Sequence, residues 1–283
     1  MTAPGNGDLD VPAAWTAALD AVAAGVRRVM VVGATDTGKT TFCRWLAAAA
    51  SRAAVLVDAD PGQPGLGPPA CAALGRPGEP VERLVFLGVL EPLRARAALL
   101  AAAARLTDAG ARGGRLVVVN TCGFVRGPGQ RLQTATAQAV RPDLVVCLER
   151  TTEAAALAEA LAARTPVLRL PSSPAVRRKS QAQRRRLRET ALAAAFAGAA
   201  ETRVPADRLP VERLVALAEP LPPRLLCALA DAAGDDTALA LLLGEDAGSL
   251  RLLTAGDPAA AVRLRTGALV VAEDGAATVV PPP

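Results

Sequence analysis

The sequence predicts an α/β fold: a parallel sheet with helices on both faces, followed by a small β-rich C-terminal domain. Three observations carry this. Continuous Val/Leu runs alternate with helical stretches over roughly the first two thirds of the chain, the pattern of strands buried on both faces. A glycine-rich turn joins the first of these strands to the helix after it. Beyond residue 224 the pattern changes to short strands separated by turns.

Val11-Pro12-Ala13-Ala14-Trp15 leads into a helical stretch reaching about residue 24. Strands are expected over 28–32, 54–57, 84–89, 116–119, 144–148 and 167–170. Helices are expected over 39–51, 93–106, 130–140 and 153–163, and a basic helical segment over 171–198. The Gly/Pro-rich stretch 61–69 reads as a loop, and 204–223 as a boundary. Further strands are expected over 225–230, 237–243, 249–254, 260–264 and 268–272. The domain expectation is therefore an N-terminal arm (1–26), a main domain (27–200), and a linker with a small β-rich domain (201–283).

The chain has 283 residues and is 51% hydrophobic but only 2% aromatic, so its cores must be built from Leu, Val and Ala. The polar opening, with no basic start and no apolar stretch, predicts no secretory leader. No uncharged apolar run of about 18 residues suggests a membrane span. Five scattered cysteines without a CxxC pair suit a reducing compartment, the cytoplasm, better than a disulfide framework. The lack of histidine argues against zinc. The net charge of +5 is uneven, because seven basic residues fall between Arg177 and Arg188, leaving −2 elsewhere. That concentration suggests a local anionic ligand rather than a generally basic surface. Only two of the 32 basic residues are lysines, Lys39 and Lys179.

Gly33-Ala34-Thr35-Asp36-Thr37-Gly38-Lys39-Thr40 fits GxxxxGK[ST] and lies between a strand and a helix, as the motif requires. This is the phosphate loop of P-loop NTPases, and it completes the fold expectation. Its backbone N–H groups and the helix N-terminus attract phosphate. Gly33, Thr35, Asp36, Thr37, Gly38, Lys39, Thr40 and the neighbouring Thr41 are the expected ATP-binding set. Lys39 is assigned to the β- and γ-phosphates and the Thr40 hydroxyl to magnesium. The next strand ends in Asp58-Ala59-Asp60-Pro61-Gly62-Gln63. A carboxylate there can hold magnesium or its water, or accept a proton from an attacking hydroxyl. Either aspartate can instead merely cap the following loop. Neither lysine stands in an [NT]KxD segment, which argues against a signalling GTPase.

A phosphotransferase needs an acceptor pocket and a lid that excludes water. The segment 120–127 follows a strand and offers Thr121, Gly123, Phe124 and Arg126 as a clasp for the acceptor. Phe124 can stack on a base or pack the loop down. The lid candidate is 172–190, where Arg184 and Arg188 share a helix face with Lys179 nearby. Arg185 and Arg186 read better as a solvated face.

Four segments together resemble the polynucleotide 5′-hydroxyl-kinase family, which includes the kinase subunit of the pre-mRNA cleavage factor, ribosomal-RNA-processing kinases and archaeal RNA kinases. They are Thr35-Asp36-Thr37-Gly38-Lys39-Thr40-Thr41, Asp60-Pro61-Gly62-Gln63, Thr121-Cys122-Gly123-Phe124, and Lys179 with Arg184 and Arg188 at spacings of five and four. The resemblance runs from Val11 to about Ala272 and departs from the family in three ways. Only about 26 residues precede the first strand, where eukaryotic members carry a β domain. Phe124 stands where the family has Trp, and Lys179 where it has Arg. The resemblance implies ATP with magnesium, held by Thr40, Asp60 and Gln63 with Asp58 as a further candidate. It implies Asp60 as base or metal organiser, ahead of Asp58. Lys39, Lys179, Arg184 and Arg188 join Asp60 in catalysis. Gln63, Thr121, Gly123, Phe124 and Arg126 hold the acceptor, a single-stranded 5′-hydroxyl end of RNA or DNA. A nucleoside-like small-molecule kinase and a non-catalytic ATP-binding scaffold are the alternative readings.

Overall fold

The structure is a computed structural model that describes residues 10–283. The fold is α/β, with one sheet built largely from parallel strands and a second, separate antiparallel sheet. Backbone contacts divide the chain into two units. One runs to Asp60 and takes in Ala73–Glu82 and Arg96–Lys179; the other holds Pro61–Ala72, Arg83–Ala95 and Ser180–Pro283.

The first sheet has the order β4-β3-β2-β5-β1-β6-β7. Its parallel strands are β1 (Arg28–Gly33), β2 (Ala54–Ala59), β5 (Leu116–Thr121), β6 (Leu144–Glu149) and β7 (Val167–Pro171). β3 (Cys71–Gly75) runs antiparallel to β2, and β4 (Val81–Phe86) lies beyond it. Every residue of β5 is buried, as are five of the six in β1 and in β2. Strands this apolar on alternate sides require helices on both faces. α1 (Thr16–Ala23) packs on α2 (Lys39–Ala49), while α3 (Arg96–Gly110), α4 (Pro128–Val140) and α5 (Ala155–Ala162) pack in series.

Aromatic contact ties the N-terminal segment to this unit. Trp15 is fully buried, 4.9 Å from Phe42 and 5.4 Å from Trp45 between ring centroids, and its indole N–H donates to the Pro171 carbonyl at 2.9 Å. So much buried ring surface predicts that Trp15→Ala destabilises the unit by about 3–5 kcal/mol. A urea midpoint unchanged from wild type would refute that value.

In the second unit the sheet order is β14-β13-β10-β11-β12-β8. These strands are β8 (Ala200–Pro205), β10 (Leu225–Ala230), β11 (Asp236–Asp246), β12 (Ser249–Thr254), β13 (Arg263–Val271) and β14 (Ala277–Val279), with β9 (Val211–Arg213) parallel to β13. Along β10, Leu225, Cys227 and Leu229 enter one apolar cluster, and Leu226 and Ala228 the other. The sheet is thus buried on both sides, and Leu192 of α6 (Gln181–Ala195) belongs to the second cluster. A buried ionic knot closes the end of β11. Asp236 accepts from the Phe86 N–H at 2.7 Å and from the Arg265 guanidinium at 3.0 Å.

The structure differs from the sequence expectation in several elements. β3 was not expected. The strand expected over 84–89 begins earlier, at Val81, and ends at Phe86. The stretch 204–223 is not only a boundary, because it carries the end of β8 and all of β9. The strands expected over 260–264 and 268–272 are one strand, β13. The basic helical segment is confined to Gln181–Ala195, since 171–180 is extended or looped.

Candidate active site

β1 delivers Gly33 into the loop, and the loop delivers Lys39 to the start of α2. Gly38 is the N-cap at φ 84°, a left-handed conformation that L side chains resist, so glycine is needed at this position. Within the loop, the Thr37 hydroxyl donates to the Ala34 carbonyl at 3.0 Å. Lys39 is 8% exposed, and its ammonium donates to the same carbonyl at 2.9 Å. Burial pulls its pKa below the ordinary lysine value, and the Asp60 carboxylate opposes that shift. A desolvated ammonium held against the loop backbone is poised to take phosphate oxygens.

Beside the loop, three side chains form a connected set. The Asn120 amide donates to Asp58 Oδ1 at 3.1 Å and to the Thr40 hydroxyl at 3.4 Å. Asp58 Oδ1 also accepts from the Asp60 N–H at 3.1 Å. Asp58 and Asn120 are both 3% exposed. Asp58 therefore shapes the turn leading to Asp60 while sharing the Asn120 amide with the P-loop hydroxyl. A buried carboxylate and a hydroxyl held together by one amide offer the hard oxygen donors that magnesium takes, so these residues fit that ion. Asn120 was expected only as the first residue of the clasp segment 120–127, with no role of its own beside the phosphate loop. Its signal was present in the sequence: a lone amide ending the apolar strand Leu116-Val117-Val118-Val119.

The clasp changes one assignment. Thr121 is 2% exposed, and its hydroxyl donates to the Val31 carbonyl at 2.8 Å, so it ties β5 to β1 instead of facing an acceptor. The physical reason is that β5 continues through Asn120 and Thr121, which turns their side chains to opposite faces. Gly123 lies against the P-loop: a Cβ there would sit 2.8 Å from both Cα and N of Thr35. Gly123→Ala should therefore push the clasp off the loop, costing about 1–3 kcal/mol and weakening ATP binding. Thermal unfolding and nucleotide titration that match wild type would dismiss this contact. Phe124 is 42% exposed, and Arg126 is exposed with its guanidinium 4.0 Å from Glu153. Behind the clasp, the Gln133 amide donates to the Cys122 carbonyl at 2.8 Å, and burial pushes the Cys122 thiol up to about 11.

A strap before the lid also reaches the loop. The Lys179 N–H donates to Asp36 Oδ2 at 3.0 Å, while the Lys179 side chain is exposed. The Arg150 guanidinium donates to the Val176 carbonyl, and Val176 packs over Gly38. Neither Arg150 nor Val176 carried a sequence signal.

Within the second unit, Ser180 and Gln183 form a reciprocal capping box that starts α6. Arg184 and Arg188 are half-buried, while Arg185 and Arg186 are exposed and Arg185 pairs with Glu189 at 2.7 Å. The Gln63 amide donates to the Gly62 carbonyl at 2.8 Å and to the Arg184 carbonyl at 3.5 Å.

The parallel sheet, the loop at the end of β1 and the buried lysine define a P-loop nucleotide-binding protein. The chain belongs to the CLP1 P-loop family: the description "mRNA cleavage and polyadenylation factor CLP1 P-loop" matches residues 33–198. A polyribonucleotide 5′-hydroxyl-kinase of Pyrococcus furiosus is 31% identical over 173 residues, 57% of this chain and 48% of that protein. A CLP1 homolog of Nematostella vectensis is 30% identical over 195 residues, covering 60% of this chain and 45% of its own. The chain thus spans about half the length of the curated relatives it matches. Its fold is also that of Clp1p in a complex with Pcf11p, at a TM-score of 0.67 and 13% identity over 85% of this chain and 74% of that one.

Proposed function

We propose that this protein is an ATP-dependent polynucleotide 5′-hydroxyl kinase. The observation that carries the reading is that one family match, over residues 33–198, takes in the loop, the acidic strand end, the clasp and the basic lid together. Relatives named polyribonucleotide 5′-hydroxyl-kinases support the choice of acceptor. Residues 27–200 would form the kinase domain, with 120–127 as clasp and 172–190 as lid.

In this mechanism Lys39 and the loop N–H groups bind the β- and γ-phosphates of ATP. Thr40 and Asp58 would hold magnesium, with Asp60 beside them, and the ion when bound would shield phosphate charge. Asp60 accepts the proton of the 5′-hydroxyl. The 5′ oxygen bonds to the γ-phosphorus as the bond to the β–γ bridging oxygen breaks, leaving a 5′-phosphate end and ADP. Gly123, Phe124 and Arg126 border the acceptor, with Phe124 offering a ring for the terminal base. The parts given to Gln63, Lys179, Arg184 and Arg188 rest on the sequence pattern alone. All five cysteines are free and buried, which supports a reducing compartment such as the cytoplasm. Among the described residues, no helix is long and apolar enough to cross a membrane.

The test supplies γ-labelled ATP, magnesium and matched RNA and DNA oligonucleotides with 5′-hydroxyl or 5′-phosphate ends, beside a Lys39→Ala control. Label should appear only on hydroxyl ends and vanish in the control, and the RNA and DNA arms give the sugar preference. Bound ATP with no labelled end would overturn the polynucleotide acceptor and leave a small-molecule kinase or a scaffold.

A further inference from the structure

The strap, residues 172–179, follows β7 and touches the phosphate loop at Asp36 and at Gly38. The Lys179 N–H donates to Asp36 Oδ2 at 3.0 Å. A Cβ on Gly38 would stand 2.9 Å from Val176 Cγ2, so the Val176 side chain lies directly on that glycine. The strap between these contacts is itself built. Ser173 is 5% exposed, and its hydroxyl donates to Asp10 Oδ2 at 2.6 Å and accepts from the Ala175 N–H at 3.1 Å. The Val176 N–H donates to the Ser173 carbonyl at 3.1 Å, and the Arg150 guanidinium donates to the Val176 carbonyl.

An aspartate at position 36 works against a loop that binds phosphate, because its carboxylate repels a triphosphate. Its φ of 58° is left-handed, a region that few L residues other than Asn and Asp enter. Asn or Gly would take the same backbone without the charge. The strap gives that charge a use. It carries three successive cations, Arg177-Arg178-Lys179, and the bond to Asp36 comes from the last of them. A carboxylate attracts those cations and accepts a stronger hydrogen bond than a neutral carbonyl does. Arg178 lines a narrow cleft with Ala34, Thr35 and Thr37 of the loop, so the strap brings a guanidinium to the edge of the phosphate site.

We infer that Asp36 is a positioning residue for phosphoryl transfer: its carboxylate latches the strap onto the phosphate loop. The latch holds the Arg178 guanidinium at the loop's edge, where it can neutralise charge on the reacting triphosphate. Asp36 thus acts through the strap and not by touching the nucleotide. The inference rests on the phosphate-donor reading above.

Two substitutions separate the latch from the backbone that carries it. Asp36→Gly keeps the left-handed conformation and removes the carboxylate, whereas Asp36→Asn also keeps an acceptor oxygen. The full chain and both variants are compared by amide hydrogen exchange at Lys179, ATP titration, and single-turnover transfer to a 5′-hydroxyl oligonucleotide at saturating ATP. In Asp36→Gly the Lys179 amide should exchange at least about tenfold faster than in wild type. Transfer should slow by about 10²-fold, the scale on which a small misplacement of a reacting assembly acts. ATP affinity should stay within about threefold, because Lys39 and the loop N–H groups are untouched. Asp36→Asn should return both the amide protection and the transfer rate to within about threefold of wild type. A Lys179 amide as protected in Asp36→Gly as in wild type, or an undiminished transfer rate in that variant, would overturn the latch. Equal losses of ATP affinity and rate would overturn it too, and would put Asp36 in the phosphate cradle. If wild type itself transfers no phosphate, the donor reading falls, and the positioning role with it.

Discussion

Asp60→Asn should transfer phosphate about 10³-fold more slowly than wild type while binding ATP with little change, since a positioned general base contributes about 10²–10⁴-fold. The substitution keeps the side chain's size and its place after β2. It also keeps the backbone N–H that donates to Asp58. What it removes is the group that can take a proton, together with the negative charge that offsets the burial of Lys39. Loss of that charge lets the Lys39 pKa fall further, but bound triphosphate supplies far more negative charge than one carboxylate, so ATP affinity should hold. The experiment is single-turnover transfer to a 5′-hydroxyl oligonucleotide across a pH series, beside an ATP titration. Wild-type turnover in the variant would remove Asp60 as base. An equal loss of ATP affinity would instead make it a part of the phosphate site.

Asn120→Ala should raise the magnesium concentration needed for half-maximal transfer by about 10–100-fold, the usual cost of losing a partner that orients a metal ligand. Its amide is the donor that Asp58 and Thr40 share, and it lies where water does not reach. Without it the carboxylate loses one fixed donor and the Thr40 hydroxyl is free to rotate. Stability should also fall, by about 1–3 kcal/mol, because a buried acceptor loses a partner. The two effects separate experimentally. Saturating magnesium should restore much of the transfer rate but none of the thermal stability measured without nucleotide. A variant whose magnesium curve overlays wild type would reduce Asn120 to a packing residue.

What the sequence made legible follows from how local each signal is. The phosphate loop packs its glycines, lysine and threonine into eight residues between a strand and a helix, so their roles could be assigned from spacing. β3 escaped notice because Cys71-Ala72-Ala73-Leu74-Gly75 is alanine-rich and follows a long Gly/Pro loop, with none of the β-branched residues that mark a strand. β8 and β9 were hidden by Pro205 and Pro210, yet β8 is the last strand in its sheet, where proline is tolerated. β13 looked like two strands because Gly267 interrupts it, and that glycine is required by the Gly88 backbone packed against it. The error at Thr121 came from ending β5 two residues early. Strand alternation is unforgiving, and only hydrogen bonds to Val31 and Asp58 reveal which side chain faces which partner.

The aromatic cluster around Trp15 has an optical consequence. The chain holds two tryptophans and no tyrosine, and both tryptophans lie in the first unit, Trp45 on the helix that the phosphate loop opens. Intrinsic tryptophan fluorescence is therefore a dye-free reporter of that unit, while the second contributes no tryptophan emission. Emission and far-ultraviolet circular dichroism, followed through the same denaturant series, read respectively one unit and the whole backbone. Superimposed curves would mean that the two sheets melt as one cooperative body, and displaced curves that each has its own transition.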